Sequence, residues 1–343
     1  MAYTIDRPRV TPVSLFDDVT TLTAPEQTRE LSQSELAAEM AEKTTGFQFG
    51  FSWLGITSTA TIADTVKAAE AFGASSEAVK LKKQLIDPKR AEYKACTKIK
   101  GAVRKWVDSN SLPYVMPGVR LIPREKIQDF NAKMFGFRAE LTEAVNGLNA
   151  VYTDMIDDAR TRLAELFDAG DYPSTLASCF AINWTFPALA APDYLAKLSP
   201  EVYRAESEKV AARFAAAAEK AESAFTSELD RMVGSMVERL SGGDDGEQKI
   251  FHNSLVGNLN EFFERFRSLS IGSSRELNEI VNLAQNAIAG VSAKDLRNSA
   301  SKRDNVRAQM ADIGDKIADM MERKPKRKMR RSPVQQATPT TAA

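Results

Sequence analysis

The side chains in this sequence with most to offer chemically are cationic or acidic rather than nucleophilic. Arg323, Lys324, Lys326, Arg327, Lys328, Arg330 and Arg331 follow one another with no acid after Glu322. Such a run neutralises phosphates and would give salt-sensitive, sequence-independent nucleic-acid binding. The same charge docks equally on an acidic partner, this chain's own body included, or stays solvated. Asp154, Asp157 and Asp158 lie close on one helical stretch and could present carboxylates to a divalent cation. No second carboxylate pair is spaced to face them, so they read as a charged face. Asp244-Asp245-Gly246-Glu247 lacks the alternating ligand spacing of an EF-hand loop and reads as a solvated turn.

His252 is the only histidine, which removes histidine-rich metal sites and leaves a Ser-His-Asp triad dependent on a residue with no motif around it. Beside Phe251 in a helical pattern it reads as structural. Cys96 and Cys179 are too few and too far apart to frame a disulfide scaffold or a metal cluster, and reduced thiols are expected. Cys179, near Phe180 and Trp184, reads as a core thiol. Neither a Gly-x-x-x-x-Gly-Lys-Ser/Thr phosphate loop nor a Gly-x-Gly-x-x-Gly fingerprint occurs. No catalytic residue, metal ligand or cofactor is expected, and the chain reads as non-enzymatic.

The elements that must carry these residues are mostly helical. Of the 343 positions 43% are apolar and 27% charged, ordinary for a chain with a core. The formal net charge is zero, but without the basic tail the body is acidic. Residues 1–45 mix Pro8, Pro12 and Pro25 with Thr, Asp and Glu and read as loosely ordered, with a short helix from Ser34 to Lys43. The stretch from Gly46 to Ile56 alternates aromatics with small residues; a buried strand-like segment is favoured over an exposed docking patch. From Thr61 to Asp108 two or three helical pieces follow, broken near Gly73-Ala74-Ser75-Ser76 and Asp87-Pro88, with Ile62, Val66 and Ala69 on one stripe.

Ile127, Phe130, Met134, Phe137, Leu141, Ala144, Leu148, Val151 and Met155 recur at spacings of three and four, the narrow seam of a coiled coil. A helix from about Arg124 to about Asp168 would be roughly 65 Å long. From Ala169 to Leu198, prolines set among Phe180, Trp184, Phe186 and Tyr194 suggest a cover for a bundle end. Ser199-Pro200-Glu201 is a helix start, and Ser273-Ser274-Arg275-Glu276 and Ser292-Ala293-Lys294-Asp295 read as capping boxes.

Between these helices, Pro113, Pro117 and Pro123 stop any helix from passing through Leu112 to Pro123. Met116-Pro117-Gly118-Val119 fits a type II turn, with proline fixing φ at its second position and glycine supplying positive φ at its third. The seam needs a partner helix, and the preceding segment folded back at this turn supplies one. The expected fold is therefore mainly α: an elongated antiparallel helical hairpin or bundle with a small β-hairpin near 112–123. Its tip residues Tyr114, Met116 and Arg120 become candidate partner contacts. The chain divides into a loosely ordered segment (1–45), an aromatic segment with the long hairpin (46–168), a helical bundle (169–322) and a basic, disordered tail (323–343).

Leu85-Ile86-Asp87-Pro88, Trp106, the Leu112 to Pro123 break, Phe262-Phe263-Glu264-Arg265-Phe266 and Asp295-Leu296-Arg297 together resemble an all-helical family of phages and proteobacteria, catalogued as domain of unknown function 3150. The resemblance spans about residues 45–320 and carries no catalytic residue. It implies partnership with a MoxR-type AAA+ ATPase and a von Willebrand A-type protein. The expected function is that of a non-enzymatic adaptor or assembly protein, acting through protein partners or self-association. The alternative is a nucleic-acid-associated protein binding through its tail. No run approaches the roughly eighteen apolar residues of a membrane span and no leader-like apolar stretch opens the chain, so no membrane contact is expected. Residence in the cytoplasm, a host's if phage-encoded, is expected.

Overall fold

The computed structural model describes residues 32–241 and 254–323. His252, the Asp244 to Glu247 turn, residues 1–31 and the tail beyond Arg323 lie outside the described residues.

α1 (Gln33–Lys43) opens on Ser32, whose hydroxyl accepts the Glu35 N–H while the Glu35 carboxylate takes the Ser32 N–H at 2.7 Å, a reciprocal cap. It runs straight into β1 (Thr44–Ser52). β2 (Thr57–Thr59), α2 (Ile62–Ala71) and β3 (Lys82–Gln84) follow, with β2 and β3 paired antiparallel. Ile62, placed by its spacing on an apolar stripe, is 85% exposed; only Ala69 of α2 is buried. Next come α3 (Ala91–Ser109), β4 (Leu112–Pro113), β5 (Val119–Pro123), α4 (Ile127–Ala150), α5 (Tyr152–Leu163) and β6 (Ala181–Thr185). The remainder is helical: α6 (Tyr194–Leu198), α7 (Pro200–Leu240), α8 (Ser254–Leu269), α9 (Arg275–Ile288), α10 (Ala293–Asn298) and α11 (Ala300–Arg323). Ser274 rather than Ser273 caps α9, accepting the Leu277 N–H, whereas Ser292 and Asp295 form the expected box on α10.

The expected mainly helical hairpin or bundle is corrected by the sheets. Four antiparallel strands in the order β4-β5-β1-β6 form one sheet and β2-β3 a second, so the described residues make a mixed α/β fold in which the β structure is not confined to residues 112–123. The reason is long-range pairing. β1 meets β5 through Thr44↔Pro123 to Gln48↔Val119 and meets β6 through Gln48↔Thr185 to Ser52↔Ala181. Local helical periodicity cannot report partners so distant in sequence. β6 carries the β-branched and aromatic residues Ile182, Trp184 and Thr185, but aromatics set among prolines read as the cover of a bundle end.

The sheet is a shared layer between two cores. Successive strand residues face opposite sides, and β5 uses this directly. Val119 and Leu121 join Leu112 and Tyr114 in a core built with α1, α7, α8, α9 and α11. Ile122 joins Phe47 and Ile182 in a second core built with α3, α4 and α5. The Leu112 to Pro123 break is therefore no projecting tip: Leu121 is 0% exposed and Tyr114 is 4% exposed. Its turn forms as the residues dictate, with Gly118 at φ +74° and Val119 N–H bonding the Met116 carbonyl at 3.2 Å.

The long helix expected from Arg124 is interrupted at Val151, whose N–H reaches back to the Leu148 carbonyl at 3.3 Å in a tightened turn. The seam continues across it through Leu148, Tyr152, Met155 and Ala159, all buried. Its partner is α3, with Trp106 packed 4.5 Å from Phe130 between ring centroids. The β2-β3 pair is anchored by Lys83, 5% exposed, whose ammonium lies 2.5 Å from Asp171 and donates to the Leu166 carbonyl at 3.2 Å. Ser58 donates to the other Asp171 oxygen at 3.0 Å. The Asp171 hydrogen bond pushes the Lys83 pKa up against the opposing effect of burial.

Candidate functional site

The site begins with strand alternation. Phe47, Phe49 and Phe51 fall at every second position, so they share the face of β1 that meets α3 and α4, and Trp53 follows just past the strand's end. Phe47 is fully buried against Phe130, with ring centroids 5.1 Å apart. Outward from it the rings continue edge to face: Phe49 to Phe51 at 5.7 Å and Phe51 to Trp53 at 6.2 Å.

α3 lays two cations across the outer rings. Lys100 and Arg104 are one helical turn apart and so share a face. The Lys100 ammonium sits 4.5 Å from the Trp53 ring centre and 5.4 Å from that of Phe51, and the Arg104 guanidinium 5.4 Å from Phe51. Burial, and then the neighbouring Arg104 charge, push the Lys100 pKa down. Each cation over a ring face is stabilised by about 0.5–1 kcal/mol at exposed positions, which holds the ammonium in place although its charge is disfavoured.

Phe49, Phe51, Lys100 and Arg104 form one wall of an open groove of about 750 Å³, closed on its other sides by the residue 113–120 turn and by Lys220 of α7. Four cations line it: Lys100, Arg104, Arg120 and Lys220. Arg120 is already committed. Its guanidinium pairs with Asp108 at 3.1 Å and donates to the Ser111 hydroxyl at 2.5 Å and the Ser111 carbonyl at 3.1 Å, stitching β5 to the end of α3. Among the described residues no carboxylate pairs with Lys100, Arg104 or Lys220. The groove thus carries a net positive field beside an aromatic surface, suited to holding carboxylates or phosphates.

The three tip residues meet in this groove in different roles. Met116 is 40% exposed at its rim. Tyr114 packs its ring 5.5 Å from Phe214, and no protein atom among the described residues bonds its buried hydroxyl, whose pKa burial raises. Arg120 is a structural staple on the groove wall. Of the tail cations, Arg323 alone is described, and it pairs with Glu276 at 2.5 Å. Asp158 pairs with Arg90, and Asp157 pairs with Arg160 at 3.3 Å. Among the described residues no three His, Cys, Asp or Glu side chains gather at metal-holding distance. Cys96 is buried and its thiol pKa is pushed up by that burial, which suppresses the thiolate.

Sequence reasoning missed Lys100, Arg104 and Lys220. The spacing of the first two was visible, but their alignment over β1 depends on a tertiary packing with no local signal. No helix among the described residues is long and apolar enough to cross a membrane. Comparison with protein-family models, with curated proteins and with solved structures finds no match to this chain.

Proposed function

We propose that this protein is a non-enzymatic adaptor that holds an acidic segment of a protein partner in the groove between α3, β1 and the residue 113–120 turn. The observation that supports this reading most is the set of three cations, Lys100, Arg104 and Lys220, that pair with no carboxylate among the described residues, beside the half-buried Phe51 ring and the exposed Val115 and Met116 side chains. Charge brings an acidic chain in, and the Phe51, Val115 and Met116 surface gives it apolar contact. A MoxR-type AAA+ ATPase and a von Willebrand A-type protein, the partners the family resemblance implies, are the first to titrate. The nucleic-acid alternative rests on the tail, whose one described cation is engaged by Glu276.

The test is binding of labelled polyglutamate to the full chain at rising salt, beside the Lys100→Glu, Arg104→Glu double variant and a chain cut after Glu322. Loss of binding in the double variant and its retention in the truncated chain support the groove. The reverse pattern transfers the activity to the tail and removes this reading.

A further inference from the structure

The groove lies along an unfilled edge of the central sheet. β1 is paired in halves: Thr44–Gln48 with β5 on one edge, and Gln48–Ser52 with β6 on the other, the two ladders overlapping only at Gln48. Among the described residues nothing pairs with Phe49–Ser52 on the edge that β5 occupies lower down. The chain itself ends that ladder. Pro117 has no N–H to offer, and Gly118 at φ +74° turns β5 away just before Val119 reaches Gln48. Beyond Thr185 the chain stays close to the other half of β1: a β-carbon on Gly46, which would point out of the sheet face, would lie 2.7 Å from the Pro187 carbonyl and 3.1 Å from Leu189. At Gly50, by contrast, a β-carbon would meet nothing within 4 Å, so the sheet face over this residue is open.

Every second strand residue turns both its N–H and its C=O to the same edge, so the stretch from Phe49 to Ser52 presents backbone donors and acceptors into the groove. An open strand edge is a template for a further strand. Four residues of extended chain, about 13 Å, match its length. The charge selects among extended chains. Lys100 and Arg104 stand on the α3 side of the sheet and Lys220 on the α7 side, so acidic side chains on either face of an added strand meet a cation.

We propose that the groove takes an acidic peptide as an added β-strand, pairing its backbone with Phe49–Ser52 and its carboxylates with Lys100, Arg104 and Lys220. This deepens the adaptor reading and rests on it. A single-stranded nucleic acid fits less well, because the Phe51 ring in the groove wall already carries Lys100 and Arg104.

The experiment uses the full chain and three labelled probes followed by fluorescence anisotropy. The first is a short peptide alternating glutamate with threonine, the second the same peptide N-methylated at four consecutive central residues, the third an oligothymidylate of equal charge. The account predicts that the plain peptide binds, that N-methylation weakens it by about ten-fold or more, and that the oligothymidylate binds more weakly than the plain peptide. Equal binding of plain and methylated peptides overturns the strand pairing and leaves the groove reading standing. Tighter binding of the oligothymidylate overturns the choice of a peptide. Absence of binding by both the plain peptide and polyglutamate overturns the two together. Because the decisive change is made in the ligand, the folding of a variant protein does not enter.

Discussion

Truncating Leu121 to alanine removes a side chain that is 0% exposed and lies on the strand face shared with Leu112, Tyr114 and Val119. Three buried carbons at about 0.8 kcal/mol each give about 2.4 kcal/mol of lost transfer free energy. The cavity left in a layer pinned between Gly46 and Leu112 raises the expected cost to about 3–4 kcal/mol, within the range for buried leucine truncations. Ile122→Ala, one residue on, opens a cavity of similar size in the opposite core. Met116→Ala, in the turn of the same break, removes a side chain that is 40% exposed and is expected to cost below about 0.5 kcal/mol. Urea unfolding followed by far-ultraviolet circular dichroism measures all three. If the sheet joins the two cores, Leu121→Ala and Ile122→Ala each lower the midpoint of one common transition. A cost below about 1 kcal/mol for Leu121→Ala, or equal costs for Leu121→Ala and Met116→Ala, would show that this stretch does project and would refute the packing described.

Three other substitutions read different parts of the structure. Asp171→Ala strands the buried Lys83 ammonium and is expected to cost about 3–5 kcal/mol by the same unfolding assay, whereas the double change Lys83→Met, Asp171→Leu recovers most of that loss. Tyr152 has a buried hydroxyl with no bonded protein atom among the described residues, and burial pushes its pKa up to about 12. A phenol ionising later in the folded than in the unfolded state contributes its full share of stability below about pH 10 and loses it as pH rises from there to about 12. Tyr152→Phe should therefore flatten the alkaline decline in melting temperature and add about 1 kcal/mol near neutrality; an unchanged alkaline slope contradicts the assignment. Ala164 sits at φ +46° and ψ −113°, strained for any residue with a β-carbon. Ala164→Gly is expected to raise stability by about 1 kcal/mol, and a loss would show that the turn after α5 is relaxed as it stands.

What was legible in the sequence was what short spacings encode. The seam from Ile127 to Met155, the Ser292 start and the turn at Gly118 follow from side-chain period, capping chemistry and backbone freedom, all of which act within a few residues. β6 was not legible, because its strand character comes from pairing with β1 more than a hundred residues earlier. The break from Leu112 to Pro123 showed where helices must stop but not whether the chain there is covered. Its alternation of Val119, Leu121 and Ile122 gains meaning only when helices pack on both faces. The groove was legible in part. Tyr114, Met116 and Arg120 line it, but two of the three serve the core and the helix end, while the cations with no carboxylate partner among the described residues come from α3 and α7.

The claim that joins fold to function is that the open half of β1 receives an acidic strand. Amide hydrogen exchange of the full chain, resolved to the peptide covering Phe49–Ser52 and recorded with and without saturating glutamate-threonine peptide, tests it most directly. The account predicts that exchange in this segment slows by about ten-fold or more on binding, while the Thr44–Phe47 half, already laddered to β5, changes little. Unchanged exchange from Phe49 to Ser52 in a saturated complex would contradict it.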